Sequence, residues 1–321
     1  VRVACDYSAA DLGRLARIES DPFSRWEALQ QLATRAMLEG GRELGDALSD
    51  ALGDLLEDES ADPAFVSECM ALPDFDTLAE QVETIDVDTL VATRDDLVER
   101  LAEEHADRCE ARYLALAAVA GGGIEGAAMA ARSLRNACLG WLTRLDPGAG
   151  LAQAQFESAR GMTERLGALR ALVHFDAPAA PEALDAFSTR HGDDPLVTDK
   201  WLGLVATRPA TEALDDVAAL IASPHWQPTN PNRVRALLGS FSRMNPVAFH
   251  RVDGLGYELL ARHLPALDDA NPQLAARLLG AFESWKRLAE PRRAQARARL
   301  QALQPRLRSR DSQDLLARLL S

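Results

Sequence analysis

The sequence predicts an all-α protein, an α-solenoid or superhelix of paired antiparallel helices. Apolar residues recur at the helical spacing through almost all of the 321 residues, and no segment alternates as a half-buried strand does. Aromatic residues make up 5% of the chain, whereas Ala and Leu are abundant. Helix-start signals also recur at short intervals, which indicates helices of ordinary length joined by short loops.

Most of these start signals are a capping side chain followed by proline. The side-chain oxygen accepts from the first free N–H groups, and a proline at the first helical position lacks only an N–H that would be unpaired there. Proline-containing pairs precede apolar runs at Asp62-Pro63, Ala180-Pro181, Asp194-Pro195, Asn230-Pro231, Asn245-Pro246, Asn271-Pro272 and Glu290-Pro291.

From Met162 onward the predicted helices fall into pairs of roughly 30 to 40 residues, which is the repeat length of armadillo and HEAT solenoids. We expect one domain over residues 1–321, with a looser acidic helical part over 1–120 and a regular solenoid over 124–321. The predicted pairs are 162–175 with 181–190, 196–207 with 213–223, 231–244 with 256–267, and 272–288 with 291–303.

The charge of the chain argues against a nucleic-acid-binding protein, because its net value is −14. We therefore expect no nucleic acid as partner. No apolar run approaches the roughly 20 residues needed to cross a bilayer, and no leader is recognisable, so we expect no membrane as partner either. The chain opens at Val1 without a methionine, and we expect it to be part of a longer protein.

The two ends of the chain differ in charge. Residues 1–110 carry 28 acidic and 9 basic side chains, whereas the remainder carries 21 and 26. The segment from Lys286 onward contains ten basic side chains and three acidic ones. A solvated basic face opposing the acidic third explains this pattern, and an anionic partner is the alternative.

The cysteines and histidines predict no metal or redox site. Cys5, Cys69, Cys109 and Cys138 form no CxxC pair, which fits a reduced, cytoplasmic protein. The sequence contains no HExxH, and His174 is interpreted as a core or capping residue.

Two other stretches resemble functional sites only superficially. Glu103, Glu104, His105 and Asp107 are crowded enough for metal binding or acid–base chemistry, but a solvated acidic face explains them. The glycines of 121–126 lack the strand and the Gly-Lys-Ser/Thr ending of a phosphate-binding loop, so we expect a flexible helix–helix connection. The chain alone is therefore predicted not to be an enzyme.

Two helix starts carry the candidate binding residues. Behind the Asn271-Pro272 cap, Gln273 and Arg277 lie four residues apart and share one face near the positive end of the helix dipole, which suits a carboxylate. Behind Asn230, basic residues including Arg235 occupy the first turn and a half, where a nearby anion would relieve the unfavourable dipole. Exposed arginines without a specific ligand are the alternative.

Eight stretches distributed across nearly the whole chain form a recognisable set. They are Asp21-Pro-Phe-Ser-Arg-Trp-Glu-Ala, Ser133-Leu-Arg-Asn-Ala-Cys-Leu, Met162-Thr-Glu-Arg-Leu-Gly-Ala-Leu, Leu196-Val-Thr-Asp-Lys-Trp, Asn230-Pro-Asn-Arg-Val-Arg-Ala-Leu-Leu-Gly-Ser-Phe, Asn245-Pro-Val-Ala-Phe-His, Asp253-Gly-Leu-Gly-Tyr and Asn271-Pro-Gln-Leu-Ala-Ala-Arg. In sequence and in order, these stretches resemble the C-terminal helical domain of bacterial aminopeptidase N, a zinc metallopeptidase of the gluzincin group.

The resemblance implies a four-domain parent enzyme in which this domain caps the active site. The zinc ligands and the GAMEN motif belong to the family's catalytic domain and are absent here, so this chain needs no cofactor of its own. Its implied partners are the catalytic and β domains of the same polypeptide and short peptide substrates. By resemblance, Gln273 and Arg277 face the active-site cavity and Arg235 is a basic residue close by.

Two hypotheses remain open beside the cap. The chain could be an independent α-solenoid scaffold that binds a peptide or protein on its concave face. It could also be a metal-dependent enzyme in its own right.

Overall fold

The computed structural model describes residues 6–321, and the regular secondary structure in this range is helical. An isolated bridge between Ile85 and Leu288 is the one β interaction found there. The predicted all-α class is therefore confirmed. The sequence observations on Val1 and Cys5 lie outside the described residues. Of the helices that are described, none is both long and apolar enough to span a bilayer.

The chain divides into two compact units, one formed by residues up to Gln81 with Ala92–Ala183 and one formed by Val82–Val91 with Leu184–Ser321. The helices are α1 Ala9–Ile18, α2 Pro22–Leu38, α3 Arg42–Glu57, α4 Pro63–Met70, α5 Phe75–Gln81, α6 Val87–Glu104, α7 Ala106–Ala115, α8 Ala117–Ala120, α9 Gly126–Leu145, α10 Gly150–Ser158, α11 Met162–His174, α12 Ala180–His191, α13 Pro195–Ala206, α14 Ala213–Ile221, α15 Pro231–Val234, α16 Ser240–Met244, α17 Pro246–Phe249, α18 Leu255–Ala270, α19 Pro272–Leu279, α20 Arg292–Leu303 and α21 Arg310–Leu320.

In the first unit, the long helix α9 organises the packing. It lies against α4, α7, α8, α10 and α11, and it buries Leu134, Cys138 and Leu139. Helices α1, α2 and α3 pack on one another around Leu29 and Leu48, which are fully buried. The acidic first third therefore has an apolar core, and its charged side chains occupy the opposite faces of its helices.

In the second unit, helices pack mainly on their neighbours in sequence, as in helical repeats. Helix α13 contacts α14 and α16, α18 contacts α19 and α20, and α19 contacts α21. Between α18 and α19 the chain reverses at Asn271, whose side chain caps the second helix. This cap sets where α19 begins and therefore where Gln273 and Arg277 lie.

The predicted helix starts agree closely with the structure. Asp62, Asp194, Asn230, Asn245 and Asn271 each accept a hydrogen bond from a backbone N–H in the first turn, with proline at the first helical position. These caps satisfy N–H groups that the helix itself leaves free.

Two predicted helices have different internal structures from those expected. Residues 231–244 are helical throughout, but Arg235–Gly239 form a π-helical turn between α15 and α16. The helix expected over 272–288 ends at Leu279 and continues as 3-10 turns at Gly280–Phe282 and Trp285–Arg287. Helical periodicity does not distinguish these tighter and wider turns from an α-helix.

Candidate functional site

The segment Pro231–Met244 carries the first group of candidate residues. The side-chain oxygen of Asn230 accepts from the N–H groups of Asn232 and Arg233, at 3.0 and 3.4 Å. The π-helical turn then begins at Arg235. Such single turns widen the helix locally and are frequent at functional sites.

Arg233 is buried, so the expectation of exposed arginines at this start is wrong for this residue. Only 4% of Arg233 is exposed, and its Nε lies 3.3 Å from Oδ1 of Asp199 on α13. A buried guanidinium needs a charge partner. The anion that relieves this cation therefore belongs to the chain itself, and Arg233 is structural.

Arg235, two residues later, is exposed. Its Nη1 donates to the side-chain oxygen of Asn232 at 3.0 Å, which leaves other N–H groups of the guanidinium free to meet a ligand. The side chain stands beside Gly239, because a Cβ built on that glycine would lie 3.7 Å from the Arg235 Cβ.

Helix α19 carries the second group. Oδ1 of Asn271 accepts from the N–H of Leu274 at 3.1 Å and fixes the helix start. Leu274 and Leu278 are buried, whereas Gln273 and Arg277 are exposed on the opposite side. Neither of these exposed side chains forms a hydrogen bond or ion pair with another described residue.

The two helices are neighbours. Nη2 of Arg243, at the end of α16, donates to the backbone oxygen of Arg277 at 3.0 Å. A Cβ built on Gly239 would lie 3.8 Å from Cδ2 of Leu278. Arg235 therefore projects from a helix that packs directly on the helix of Gln273 and Arg277. Sequence reasoning missed Arg243, although a basic residue in a last turn is a known C-terminal signal.

An aromatic cluster lies beneath both helices. The ring of Phe249 contacts Phe241 from the first helical segment and Phe282 from the turn after α19, with centroids 5.9 and 5.7 Å apart. Tyr257 contacts Phe249 and Phe282 as well. The shared core fixes the spacing of the two exposed groups, since closely packed aromatic rings allow little movement.

His250 and Tyr257 are titratable groups of this core. Nδ1 of His250 lies 2.8 Å from the Tyr257 hydroxyl, and Arg292 donates to the backbone oxygen of His250. Burial, together with the nearby charge of Arg292, lowers the pKa of His250 to about 3. Burial likewise raises the pKa of Tyr257. Both side chains are therefore neutral near pH 7, as a closely packed core requires.

The crowded stretch around His105 is divided between surface and core. Glu103, Glu104 and Asp107 are exposed, as expected of a solvated acidic face, but only 3% of His105 is exposed. Oγ of Ser49 donates to Glu104 at 2.5 Å and lies 2.9 Å from Nε2 of His105. The expectation of a wholly solvated face is wrong for His105, which lies buried at the interruption between helices α6 and α7.

This Ser–His contact is not arranged for nucleophilic catalysis. The Ser49 proton is directed to Glu104, so Nε2 of His105 must donate to Ser49, and Nδ1 is left to accept from Arg108 at 3.3 Å. Burial and Arg108 lower the pKa of His105. A general base would instead need its Nε2 free to take the serine proton.

The cysteines that are described are buried thiols. Cys69, Cys109 and Cys138 are reduced, and burial raises the pKa of Cys69 to about 12. Contact with Cys109, together with burial, raises the pKa of Cys138. Within residues 6–321 there is also no group of three His, Cys, Asp or Glu side chains placed to bind a metal ion.

Comparison with known proteins supplies the family. The model of the family described as a domain of unknown function (DUF3458_C) with ARM repeats matches residues 9–321. Aminopeptidase N of Escherichia coli (strain K12) is 36% identical over 313 residues, covering 94% of this chain and 36% of that protein. Aminopeptidase N of Caulobacter vibrioides is 34% identical over 298 residues, covering 89% and 34%.

A solved structure agrees in fold. Aminopeptidase A of Legionella pneumophila, determined in complex with aspartic acid, superposes with a TM-score of 0.88 at 27% identity, covering 99% of this chain and 39% of that one. The chain spans little more than a third of the length of the relatives it matches. The predicted α-solenoid class is confirmed by the ARM-repeat match. The chain belongs to this ARM-repeat family and corresponds to the helical domain of an aminopeptidase N, as the resemblance predicts.

Proposed function

We propose that this chain is the non-catalytic C-terminal cap of a zinc aminopeptidase that removes N-terminal amino acids from short peptides. The relatives named aminopeptidase N, each almost three times as long as the matched segment, support this assignment. In this proposal the catalytic and β domains of the same polypeptide carry out the reaction in the cytoplasm. The helical domain encloses the active-site chamber and limits access to it.

In this proposal the zinc is bound by the catalytic domain. A catalytic zinc site uses three protein ligands, and residues 6–321 bring no such group together. The residues present therefore do not fit the metal. The contribution of this chain is to bind and orient the substrate.

The observation that carries the binding role is the exposure of Gln273 and Arg277 on one face of α19, beside the helix that presents Arg235. An amide and two guanidinium groups are donors suited to a carboxylate. Gln273 lies in the first turn of α19, at the positive end of the dipole, whereas Arg277 lies in the last turn, so the expectation that both lie near the positive end is wrong for Arg277. These groups would hold the C-terminal carboxylate of a short peptide, which favours short peptides over long chains.

The test uses Gln273→Ala and Arg277→Ala in the full-length enzyme. Each variant should raise KM for a tripeptide with a free C-terminus by about tenfold or more, because a charge-assisted hydrogen bond contributes about 1.5–3 kcal/mol. The same tripeptide with a C-terminal amide, and an aminoacyl-anilide, should be affected much less, since neither has a carboxylate.

Arg297→Ala is the matched control, since Arg297 is an exposed arginine on α20 without a hydrogen bond or ion pair to another described residue. This variant should leave KM unchanged for the tripeptide, the tripeptide amide and the anilide. Equal losses on the acid, the amide and the anilide would exclude the carboxylate role. Stoichiometric zinc and turnover in this chain alone would overturn its assignment as a non-catalytic cap.

A further inference from the structure

The first unit contains a cavity of about 620 Å³ between the Gly121–Ile124 loop and the Ser158–Glu164 segment. Pockets for small molecules typically measure about 300–1,000 Å³. The glycine loop has no place in the function proposed above. In the structure, charged side chains from neighbouring helices and loops line the cavity beside the glycine loop.

The floor of the cavity is a fixed polar network. Nη1 of Arg135 lies 3.0 Å from Oε1 of Glu164, and both side chains are nearly buried, with 11% and 13% exposed. The guanidinium of Arg135 stacks 4.3 Å above the ring of Tyr113, whose hydroxyl donates to Gln155 at 2.9 Å. The charges of Arg135 and Glu164 cancel each other, so the floor of the cavity is polar but carries no net charge.

The walls carry two further arginines. Nη1 of Arg132 donates to the backbone oxygens of Ala120 and Gly123, at 2.9 and 3.0 Å, and so holds the glycine loop beside the cavity. Arg160 is exposed and forms no hydrogen bond or ion pair with another described residue. Among residues 6–321 no carboxylate forms an ion pair with either guanidinium, although Glu125 lies beside the loop at Gly123.

Backbone groups add to this positive character. Helix α11 begins beside the cavity, and its capping residue, Gly161, has no side chain that could accept from the first N–H groups. Met162 lines the cavity at this helix start and, with the exposed Ile124 of the loop, gives apolar surface next to the cations. The combination suits a ligand with one anionic group and a small apolar part.

We propose that this cavity binds a small organic molecule through a carboxylate or phosphate group, with Arg132 and Arg160 as its cationic contacts. The cavity shares no residue with the face of Gln273 and Arg277, and this proposal does not depend on the proposed peptidase role. Arg160 gives a clean test, because it is exposed and its removal breaks no hydrogen bond or ion pair with another described residue.

Hippurate and phenyl phosphate are suitable probes, since each joins an aromatic ring to one of the two anionic groups. Binding to the full-length protein is measured by titration calorimetry. We expect at least one probe to bind, and the probe that binds more tightly identifies the anionic group. Arg160→Ala should weaken that binding by about ten- to a hundredfold, the loss typical of a charge-assisted contact.

Two further variants define the site. Ala154→Trp places a large side chain at the exposed mouth of the cavity and should abolish binding. Arg170→Ala removes an exposed arginine of α11 that does not line the cavity, and it should leave binding unchanged, as should the double variant Gln273→Ala/Arg277→Ala. The proposal is overturned if neither probe binds at millimolar concentration, or if Arg160→Ala and Arg170→Ala behave alike.

Discussion

Two helices of the second unit begin with the same Asn-Pro pair but bury different positions. After Asn230 the buried row contains Arg233, Leu237 and Phe241, at intervals of four residues. After Asn271 the buried positions are apolar, and both polar residues of interest lie outside them. Similar start signals therefore say where a helix begins but not which charged side chain enters the core. The register of the apolar stripe decides that.

The strongest test of this difference is Arg233→Ala. The substitution leaves Asp199 without its charge partner in a nearly buried position, and breaking a buried ion pair from one side costs about 3–5 kcal/mol. Arg235→Ala, two residues later, should change the free energy of unfolding by less than about 0.5 kcal/mol, because the side chain is exposed. Urea unfolding of both variants measures this contrast.

A double variant shows whether the pair is the cause. Arg233→Ala combined with Asp199→Ala should cost clearly less than the sum of the two single variants, since neither charge is then buried alone. Additive losses would mean that Arg233 stabilises the protein through packing of its methylene groups and not through Asp199.

The aromatic core that both helices share should make the stability of the protein depend on pH. The folded state holds the pKa of His250 at about 3, below the value near 6.5 of an unfolded chain, so the unfolded state binds more protons as the pH falls. The contribution of neutral His250 to the free energy of unfolding is fully present above pH 6.5. It should decrease by about 1.4 kcal/mol per pH unit as the pH falls towards 3.

The comparison of pH 7 with pH 5 isolates this effect. The loss of about 2 kcal/mol expected from His250 over this interval should disappear in His250→Gln, which cannot be protonated. The Tyr257→Phe variant, which lacks only the hydroxyl partner of His250, should still lose this stability between pH 7 and pH 5. An unchanged pH dependence in His250→Gln would show that other groups are responsible.

The caps at the two helix starts should contribute equally to the stability of the protein. Asn230→Ala and Asn271→Ala each remove a side-chain acceptor from first-turn N–H groups, and each should cost about 1 kcal/mol. Asp at either position should restore most of the loss, because its carboxylate caps equally well. A much larger cost at one start would mean that its cap supports more than its own helix.

Local signals predicted most helix starts of the second unit, although the predicted pairs did not include α21 at Arg310–Leu320. The predicted start at 196 lies one residue from Pro195 and the predicted range 231–244 coincides with the helical segment, because the capping oxygen and the proline act within one turn. The end predicted at 288 was wrong, since apolar spacing continues through the 3-10 turns beyond Leu279.

Contacts between distant segments could not be predicted in this way. Ser49 and His105 are 56 residues apart in sequence, and the contact of Arg243 with Arg277 depends on how two helices pack. Burial of Arg233 did have a signal, its position four residues before Leu237 in the apolar row. The roles of Gln273, Arg277 and Arg235, and the organisation of residues 1–321 as one domain, stay predictions.

The smallest expected effect is that of Gly239→Ala at the point where the two helices touch. Gly239 has helical backbone angles, and a Cβ there would lie 3.7–3.8 Å from Arg235 and Leu278, an ordinary van der Waals separation. Alanine should therefore fit and stabilise the protein by about 0.5–1 kcal/mol, since glycine weakens a helix interior by that amount.

Gly256→Ala is the opposite case, because its Cβ would lie 2.2 Å from the backbone oxygen of Phe249 and the main chain would have to move. Equilibrium unfolding should thus separate two glycines that the sequence does not distinguish. If Gly239→Ala is also strongly destabilising, then the π-helical turn requires glycine. In that case the turn, and not the aromatic core beneath it, determines the spacing of Arg235 from α19.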